Sequence, residues 1–420
     1  MTNERETAVN ILMEIEREHG YSGIVLSRNL DKAEYLDARG RGFITEVVNG
    51  CMRNLIWIDY IIDRFSKVPA DKMEPFIRHL VRSAVYQIKF MDKIPISAAV
   101  NEAVKQARKR GFNGLCGYVN AVLRNISRSE TPLPNIAEGL DKFLSVRYSF
   151  PPWITKYYID HYGPEKAESI CKAAVKPQSV HICVNTNRIA RDELLDLIDA
   201  EPTCENGAFL VKSSDITTLK PFRDGLFHVM DESSMKAVEA LAPRPGEAIM
   251  DLCAAPGGKS FYCAYLMKNR GRIHAWDIHP HKVNLINNSA MRLGIDILTA
   301  DAADARIFNK AFESAADRVL IDAPCTGLGA AAKKPDLKYS RSQSDIETLA
   351  QIQRDILSAG CRYVKPDGVL VYSTCTLTRE ENQDNASWFI SRYPFVLESE
   401  TLLLPGRSDG FYIAKFVRKG

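Results

Sequence analysis

Two of the ten cysteines in this 420-residue sequence stand where a thiol can act as a reagent: Cys325 in "DAPCTGLG" (322–329) and Cys375 in "YSTCTLTREEN" (372–382). Each lies just beyond a short apolar run and among turn residues, with Pro324 before one and a Ser-Thr pair before the other. Exposed, conformationally fixed loops are therefore expected. Helix-start amides, or a nearby lysine such as Lys259, lower a thiol pKa and make the thiolate available. Two such thiols at one site suit covalent attack followed by resolution of the adduct. A redox dithiol is the competing reading, but neither a CxxC pair nor a flavin-type glycine motif accompanies them. Cys51, Cys116, Cys263 and Cys361 fall inside helical patterns and are read as packing.

A cofactor for such chemistry is sought in "DLCAAPGGKS" (251–260), where Asp251 ends an apolar run and a Gly-Gly-Lys-Ser turn follows. A phosphate-binding P-loop needs a glycine five positions before Gly258, and Cys253 stands there. A dinucleotide turn needs GxGxxG, whereas Gly257 and Gly258 are adjacent. A nucleoside cofactor fits better. The backbone through Cys253, Ala254, Ala255, Pro256, Gly257 and Gly258 permits close approach of a ligand, with the Cys253 side chain read as packing. Amides of a helix starting beyond Gly258 can receive an anionic group. One strand later, "AWDIHP" puts Asp277 where a carboxylate accepts from ribose hydroxyls. "LTADAAD" supplies an acid for an adenine amino group, and Asp301 is preferred to Asp304 because it directly ends the apolar run. No Cys/His cluster has zinc spacing, so no metal is expected.

Elements must hold these loops in register. Residues 1–128 read as an all-α domain: "RETAVNILMEIER" puts Ala8, Ile11, Leu12 and Ile15 on one face, and "PFIRHLVRSAVYQIKFM" repeats the pattern with Ile77, Leu80, Val81, Ala84 and Ile88. "ISAAVNEAVKQARKR", with Ser97 as a candidate cap, and "GLCGYVNAVLRNISR" complete the block. Residues 129–150 read as a linker, entered through "SRSETPLPN". Residues 151–230 read as a small α/β domain, with strands in "SVHICVNTNRI", "AFLVKS" and "GLFHVMD" and a helix in "ARDELLDLIDA". From 231 to 420, "AIMDLC", "RIHAWD", "IDILTAD", "DRVLIDAP" and "GVLVYSTC" alternate with helical stretches, the pattern of a doubly wound Rossmann-like parallel sheet that binds ligands beyond its strands' carboxyl ends. Net charge is only +3, so any nucleic-acid surface must be local. The strongest basic run is "KQARKRG", carrying Lys105, Arg108, Lys109 and Arg110, with Arg124 and Arg128 on the next helix. No signal-peptide core or apolar span of about 18 residues is visible. A cytoplasmic, monomeric protein with reduced thiols is expected.

The motifs "DLCAAPGGKS", "DAPC" and "YSTC…EEN", in this order and spacing, resemble the signature of S-adenosylmethionine-dependent RNA cytosine-5 methyltransferases. The helical block is similar to a NusB-like RNA-binding domain in "RGFITEVVNGCMRN", "IPISAAVNEAVKQARKRG" and "GYVNAVLRNI". "YSFPPWITKYYIDHYG" and "VNTNRIARDELL" resemble the connecting region and small, ferredoxin- or RRM-like domain of the same family, so the likeness spans the chain. The resemblance implies S-adenosyl-L-methionine as cofactor and an RNA substrate, with a cytosine of small-subunit (16S) ribosomal RNA expected; another RNA such as tRNA, or a non-catalytic assembly role, are the alternatives. It also implies that Cys375 attacks carbon 6 of cytosine and that Cys325 assists loss of the carbon 5 proton and release. Related DNA enzymes use the "PC" thiol as nucleophile, and the residues alone leave the two roles exchangeable. Asp322 is implied at the cytosine edge and beside the cofactor, and Lys259 near the cofactor or the base. Lys333, Lys334, Lys338 and Tyr339 follow the "PC" loop as candidate RNA contacts. Thr326 replaces the usual Ser after that cysteine, "AAAKKPDLKYS" is poorer in arginine than its counterparts, and Tyr339 stands where Trp is frequent.

Overall fold

A computed structural model describes residues 4–18, 22–33, 36–211 and 216–420. They form two compact units: Met1–Pro177 with Ala331–Ser340, and Gln178–Ala330 with Arg341–Gly420.

The first unit is helical, with α-helices following one another from Glu4–Glu18 to Pro164–Ala174. Ala8, Ile11, Leu12 and Ile15 of the first helix are buried, as are Ile77, Leu80, Val81 and Ala84 of helix Pro75–Phe90. The heptad-like spacing thus does build the core. Three expectations change. Ser97 is not a cap: helix Ile96–Lys109 starts directly behind Pro95, which sets its own φ and leaves the first turn without a side-chain acceptor. Residues 129–150 are not all linker, because helix Leu140–Tyr148 forms there and buries Leu144 and Tyr148. The compact unit also runs on to Pro177, taking in helices Pro152–Tyr162 and Pro164–Ala174.

The decapeptide Ala331–Ser340, expected on the RNA side of the "PC" loop, is part of this helical unit. Its Lys338 is fully buried, donating from Nζ to the carbonyls of Arg53 (2.9 Å) and Tyr148 (3.3 Å) and lying 4.5 Å from the Phe150 ring centre. Lys338 is therefore corrected from an RNA contact to an internal strut, since a buried ammonium with two carbonyl acceptors has no phosphate to reach. Asp336 holds the same segment through Ser22 Oγ at 2.5 Å, and Tyr339 Oη donates to the Ser149 carbonyl at 3.0 Å.

The second unit carries two sheets. Strands β1 (Val180–Val184), β2 (Ala200–Pro202), β3 (Gly207–Leu210) and β4 (Phe227–Val229) form an antiparallel sheet of order β2-β3-β1-β4, the ferredoxin-like arrangement. The last residues of "AFLVKS", 212 and 213, lie outside the described residues. Strands β5 (Ala248–Asp251), β6 (Arg272–Asp277), β7 (Leu298–Ala302), β8 (Ala316–Asp322), β9 (Val364–Thr374), β10 (Phe395–Leu403) and β11 (Phe411–Arg418) form the larger sheet, ordered β10-β11-β9-β8-β5-β6-β7. β5 to β9 are parallel, as their continuous apolar runs require. The β10–β11 hairpin was not anticipated; β11 inserts antiparallel beside β9 and extends the sheet by two strands. Strand order reverses at β5, whose neighbours are β6 and β8, so the loops leaving β5 and β8 diverge and open a crevice at their carboxyl ends.

Candidate active site

Every chemistry-bearing loop leaves the carboxyl edge of that sheet. Asp251 and Asp277 are the final residues of β5 and β6, and Asp322 of β8; Cys375 directly follows β9. The strands dictate this, since neighbouring parallel strands in register deliver their last residues to one rim.

At the centre, Cys325 Sγ and Cys375 Sγ stand 3.4 Å apart, both half-buried. The hydrogen bond to Cys375, then burial, then the charges of Cys375, Glu381 and Asp322 push the Cys325 thiol well above its ordinary value. Lys259 Nζ donates to Asp322 Oδ2 at 2.6 Å, and Ser373 Oγ donates to Asp322 Oδ1 at 2.9 Å. Burial opposes the Lys259 charge, but Asp322 outweighs it, with help from Asp251 and Cys375, so its pKa is raised and the ammonium persists. Lys259 Nζ also sits 5.3 Å from the Phe411 ring centre.

The two thiol loops are pressed together by backbone. Gly329 N–H donates to the Cys375 carbonyl at 3.0 Å, and the Gly410 amide donates to the Gly329 carbonyl at 2.9 Å. A Cβ at Gly329 would stand 2.1 Å from the Gly410 oxygen and 2.9 Å from the Cys375 oxygen, so only glycine allows the approach. Beneath lies a buried polar cluster of Thr326, Gln353, Thr376, Thr378, Glu381 and Asn382. The "EEN" run belongs to the motif without its spacing indicating a role, and Gln353 carries no signal within its helix.

The loop 251–260 makes a tight turn in which the Gly257 amide donates to the Ala254 carbonyl at 2.7 Å. Gly257 adopts φ 107°, and a Cβ there would fall 2.3 Å from the Phe261 ring. Helix Gly258–Leu266 then starts without a side-chain cap, leaving its first amides for an anion. Asp251 is buried and accepts from Ser260 Oγ at 2.6 Å through Oδ2, while Oδ1 has no hydrogen-bond partner. Burial raises its pKa to about 6. Asp277 Oδ1 accepts from the His279 amide at 2.9 Å. A glycine turn, uncapped amides, an orphaned carboxylate oxygen and a second strand-end carboxylate together fit a zwitterionic nucleoside cofactor.

The two candidates for the third acid differ in where they lie. Asp301 lies inside β7, opposite Trp276, is exposed, and its charge acts on His274, away from the loop 251–260. Asp304 lies beyond β7, and burial together with the charges of Asp251, Asp322, Asp277 and Asp304 holds the Cys253 thiol far above its ordinary value. The strand runs one residue longer than the apolar pattern indicated, so the last in-strand acid is not the rim acid. Asp304 is held by Arg306, whose Nη2 donates at 2.6 Å.

In the helical unit Lys105, Arg108, Lys109, Arg110, Lys334 and Lys333 are exposed. Lys105 pairs with Glu102 (2.8 Å), and Lys109 and Arg110 both engage Glu6 (2.7 and 3.7 Å). Among the described residues no group of three or more His, Cys, Asp and Glu side chains is arranged to hold a metal, and no helix is long and apolar enough to cross a membrane.

A seven-stranded sheet with β11 antiparallel and a nucleoside cradle at its switch point define an S-adenosylmethionine-dependent methyltransferase. The family described as "16S rRNA methyltransferase RsmB/F" matches residues 238–417, and the "NusB family" matches residues 2–128. The chain belongs to the RsmB/F methyltransferase family and is an rRNA methyltransferase. It is 37% identical to the "Probable ribosomal RNA small subunit methyltransferase B" of Bacillus subtilis, over 100% of this chain and 99% of that one. It is 31% identical to the "Ribosomal RNA small subunit methyltransferase B" of Shewanella oneidensis, over 94% and 95%. Among solved structures, one titled "Crystal Structure of PH0851" superposes with a TM-score of 0.82 at 26% identity, covering 98% of both chains. A "Methyltransferase Homolog Protein" from Pyrococcus horikoshii superposes with 0.58 at 29% identity, covering 66% of this chain and 97% of its own.

Proposed function

We propose that the protein methylates carbon 5 of a cytosine in small-subunit ribosomal RNA through a transient bond between Cys375 and carbon 6. The observation that carries this reading is the pair of thiols 3.4 Å apart beside the Lys259–Asp322 ion pair. Carbon 5 is a weak nucleophile until a thiolate adds to carbon 6, and Lys259 supplies a persistent cation near the thiol that must ionise. Asp322, braced by Lys259 and Ser373, orients the cytosine edge while bordering the cofactor. S-adenosylmethionine, when bound, supplies the methyl group. Bonding of Cys375 to carbon 6 removes the Cys375 hydrogen bond and charge that hold Cys325 as a thiol; Cys325 then loses its proton to solvent, takes the carbon 5 proton as a thiolate, and elimination frees Cys375.

The residues to hold the cofactor are the backbone of 253–258 with Lys259, then Asp277 for the ribose and Asp304 for the adenine. The target base leaves its stack at a cost of a few kcal/mol unless it is already unpaired. The helical unit supplies RNA binding, through Lys105, Arg108, Lys109 and Arg110, and Lys333 and Lys334 add phosphate contacts. Lys109 and Arg110, already engaged by Glu6, contribute less than Arg108.

The test incubates the protein with labelled S-adenosylmethionine and small-subunit RNA and maps the product. Cys375→Ser is expected to abolish turnover without forming an adduct, and Cys325→Ser to accumulate a covalent protein–RNA species on denaturing gels. Methyl transfer to another RNA alone would shift the substrate, transfer to none would mark an assembly factor, and adducts in the Cys375 variant would reverse the thiol roles.

A further inference from the structure

We propose that Glu381 is a positioning residue of this site, a single buried carboxylate that ties the residue after Cys325 to the loop after Cys375 and so sets the separation of the two thiols. This rests on the dithiol reading above. Glu381 is fully buried, and four neutral donors converge on it. Oε1 accepts from the Thr326 amide at 2.9 Å and from Gln353 Nε2 at 3.0 Å. Oε2 accepts from Thr326 Oγ1 at 2.6 Å and Thr378 Oγ1 at 2.5 Å. Thr326 and Thr376, each immediately after a cysteine, share a hydroxyl hydrogen bond of 2.6 Å above the carboxylate.

The neighbouring residue completes the latch. Asn382 donates to the Thr376 carbonyl at 3.0 Å and accepts from Thr374 Oγ1 at 2.5 Å, fixing the chain on both sides of Cys375. Gln353 carries a further tie, donating to the Pro324 carbonyl at 2.9 Å, just before Cys325. A buried carboxylate is costly, and a neutral amide of the same shape cannot accept on both ends at once. The charge has its own consequence: after the Cys375 hydrogen bond, burial and the Cys375 charge, it helps hold Cys325 as a thiol while Cys375 attacks, so that Cys325 does not compete as nucleophile. Thr326 in place of the commoner serine leaves the essential hydroxyl in this cluster.

The experiment compares the full-length wild type with Glu381→Ala and Glu381→Gln. Its first readout needs neither RNA nor methyl transfer: diamide removes two hydrogens from the thiol pair, being itself reduced to the hydrazine, and mass spectrometry times the appearance of the Cys325–Cys375 disulfide. Glu381→Ala is expected to slow that rate at least about tenfold, because the thiols must come within bonding geometry, and to lower kcat at least about tenfold with KM for S-adenosylmethionine changed less than about threefold. Glu381→Gln keeps one accepting end but sets its NH2 against two donors at the other, so it is expected to slow the disulfide by about threefold or more while moving Cys325 alkylation by iodoacetamide to lower pH. A wild-type disulfide rate in Glu381→Ala overturns the proposal, as does a wild-type rate in Glu381→Gln should the alanine variant not fold. A slowed disulfide in a protein whose wild type modifies no cytosine keeps the clamp and removes the dithiol mechanism instead.

Discussion

Replacing Lys338 by Met separates an internal strut from an RNA contact. Burial pushes this ammonium down to about 7 in the folded chain, against about 10.4 for a lysine in the unfolded one. A lysine with a lowered folded pKa releases its proton earlier when folded, so the unfolded chain binds more protons across the window from about 7 to about 10.4. Stability of the helical unit therefore rises with pH there, by roughly 1.4 kcal/mol per unit and about 5 kcal/mol in all. Met fills similar volume and removes that slope, but leaves the carbonyls of Arg53 and Tyr148 without their donor, at roughly 1–3 kcal/mol each. The two effects nearly cancel below pH 7, and Lys338→Met becomes progressively less stable than wild type above it. Native-state hydrogen exchange, read on peptides from helices Ala38–Arg53 and Leu140–Tyr148 between pH 6.5 and 9.5, measures the difference directly. Parallel stability curves for the two proteins would refute the buried-charge argument. The salt dependence of RNA affinity is expected to be the same in both, because no phosphate contact is removed.

Asp304→Asn is expected to weaken S-adenosylmethionine binding by about tenfold to a hundredfold in calorimetry, the worth of a hydrogen bond to a charged acceptor, whereas Asp301→Asn leaves it unchanged; equal effects would return the adenine site to the strand. Gly329→Ala drives a methyl into the Gly410 and Cys375 carbonyls, and displacement of the thiol loops by about 1 Å is expected to cost about a hundredfold in kcat with the protein still folded. Full activity in that variant would mean the loops do not need their close approach.

The parallel strands and their rim residues were legible because a strand buried on both faces writes a continuous apolar run and its acid follows at once. That rule gave Asp251 and Asp277, whereas Asp322 came only with the family resemblance. The rule does not separate Asp301 from Asp304, because β7 is an edge strand with exposed residues, Asp301 among them, and apolarity fades before the hydrogen bonding ends. The β10–β11 pair is not legible in the strand–helix repetition because β10 is largely exposed and carries no continuous apolar run. Lys338 misled for a different reason: composition marks a lysine as a surface cation, and only the tertiary fold supplies the two carbonyls that retain it inside. The Glu381 cluster belongs to the same class, since its partners come from three stretches of chain and no local spacing announces them.

Because Ala331–Ser340 completes the helical unit, that unit cannot be finished when its own first 177 residues have left the ribosome. The roughly 150 residues of the other unit must be translated first, a wait of about 10–30 s at ordinary elongation rates. During that interval the seat for Lys338 stands open in the nascent chain. The segment that completes the helical unit thus emerges only after residues 178–330, so translation order as well as sequence sets when that unit can close.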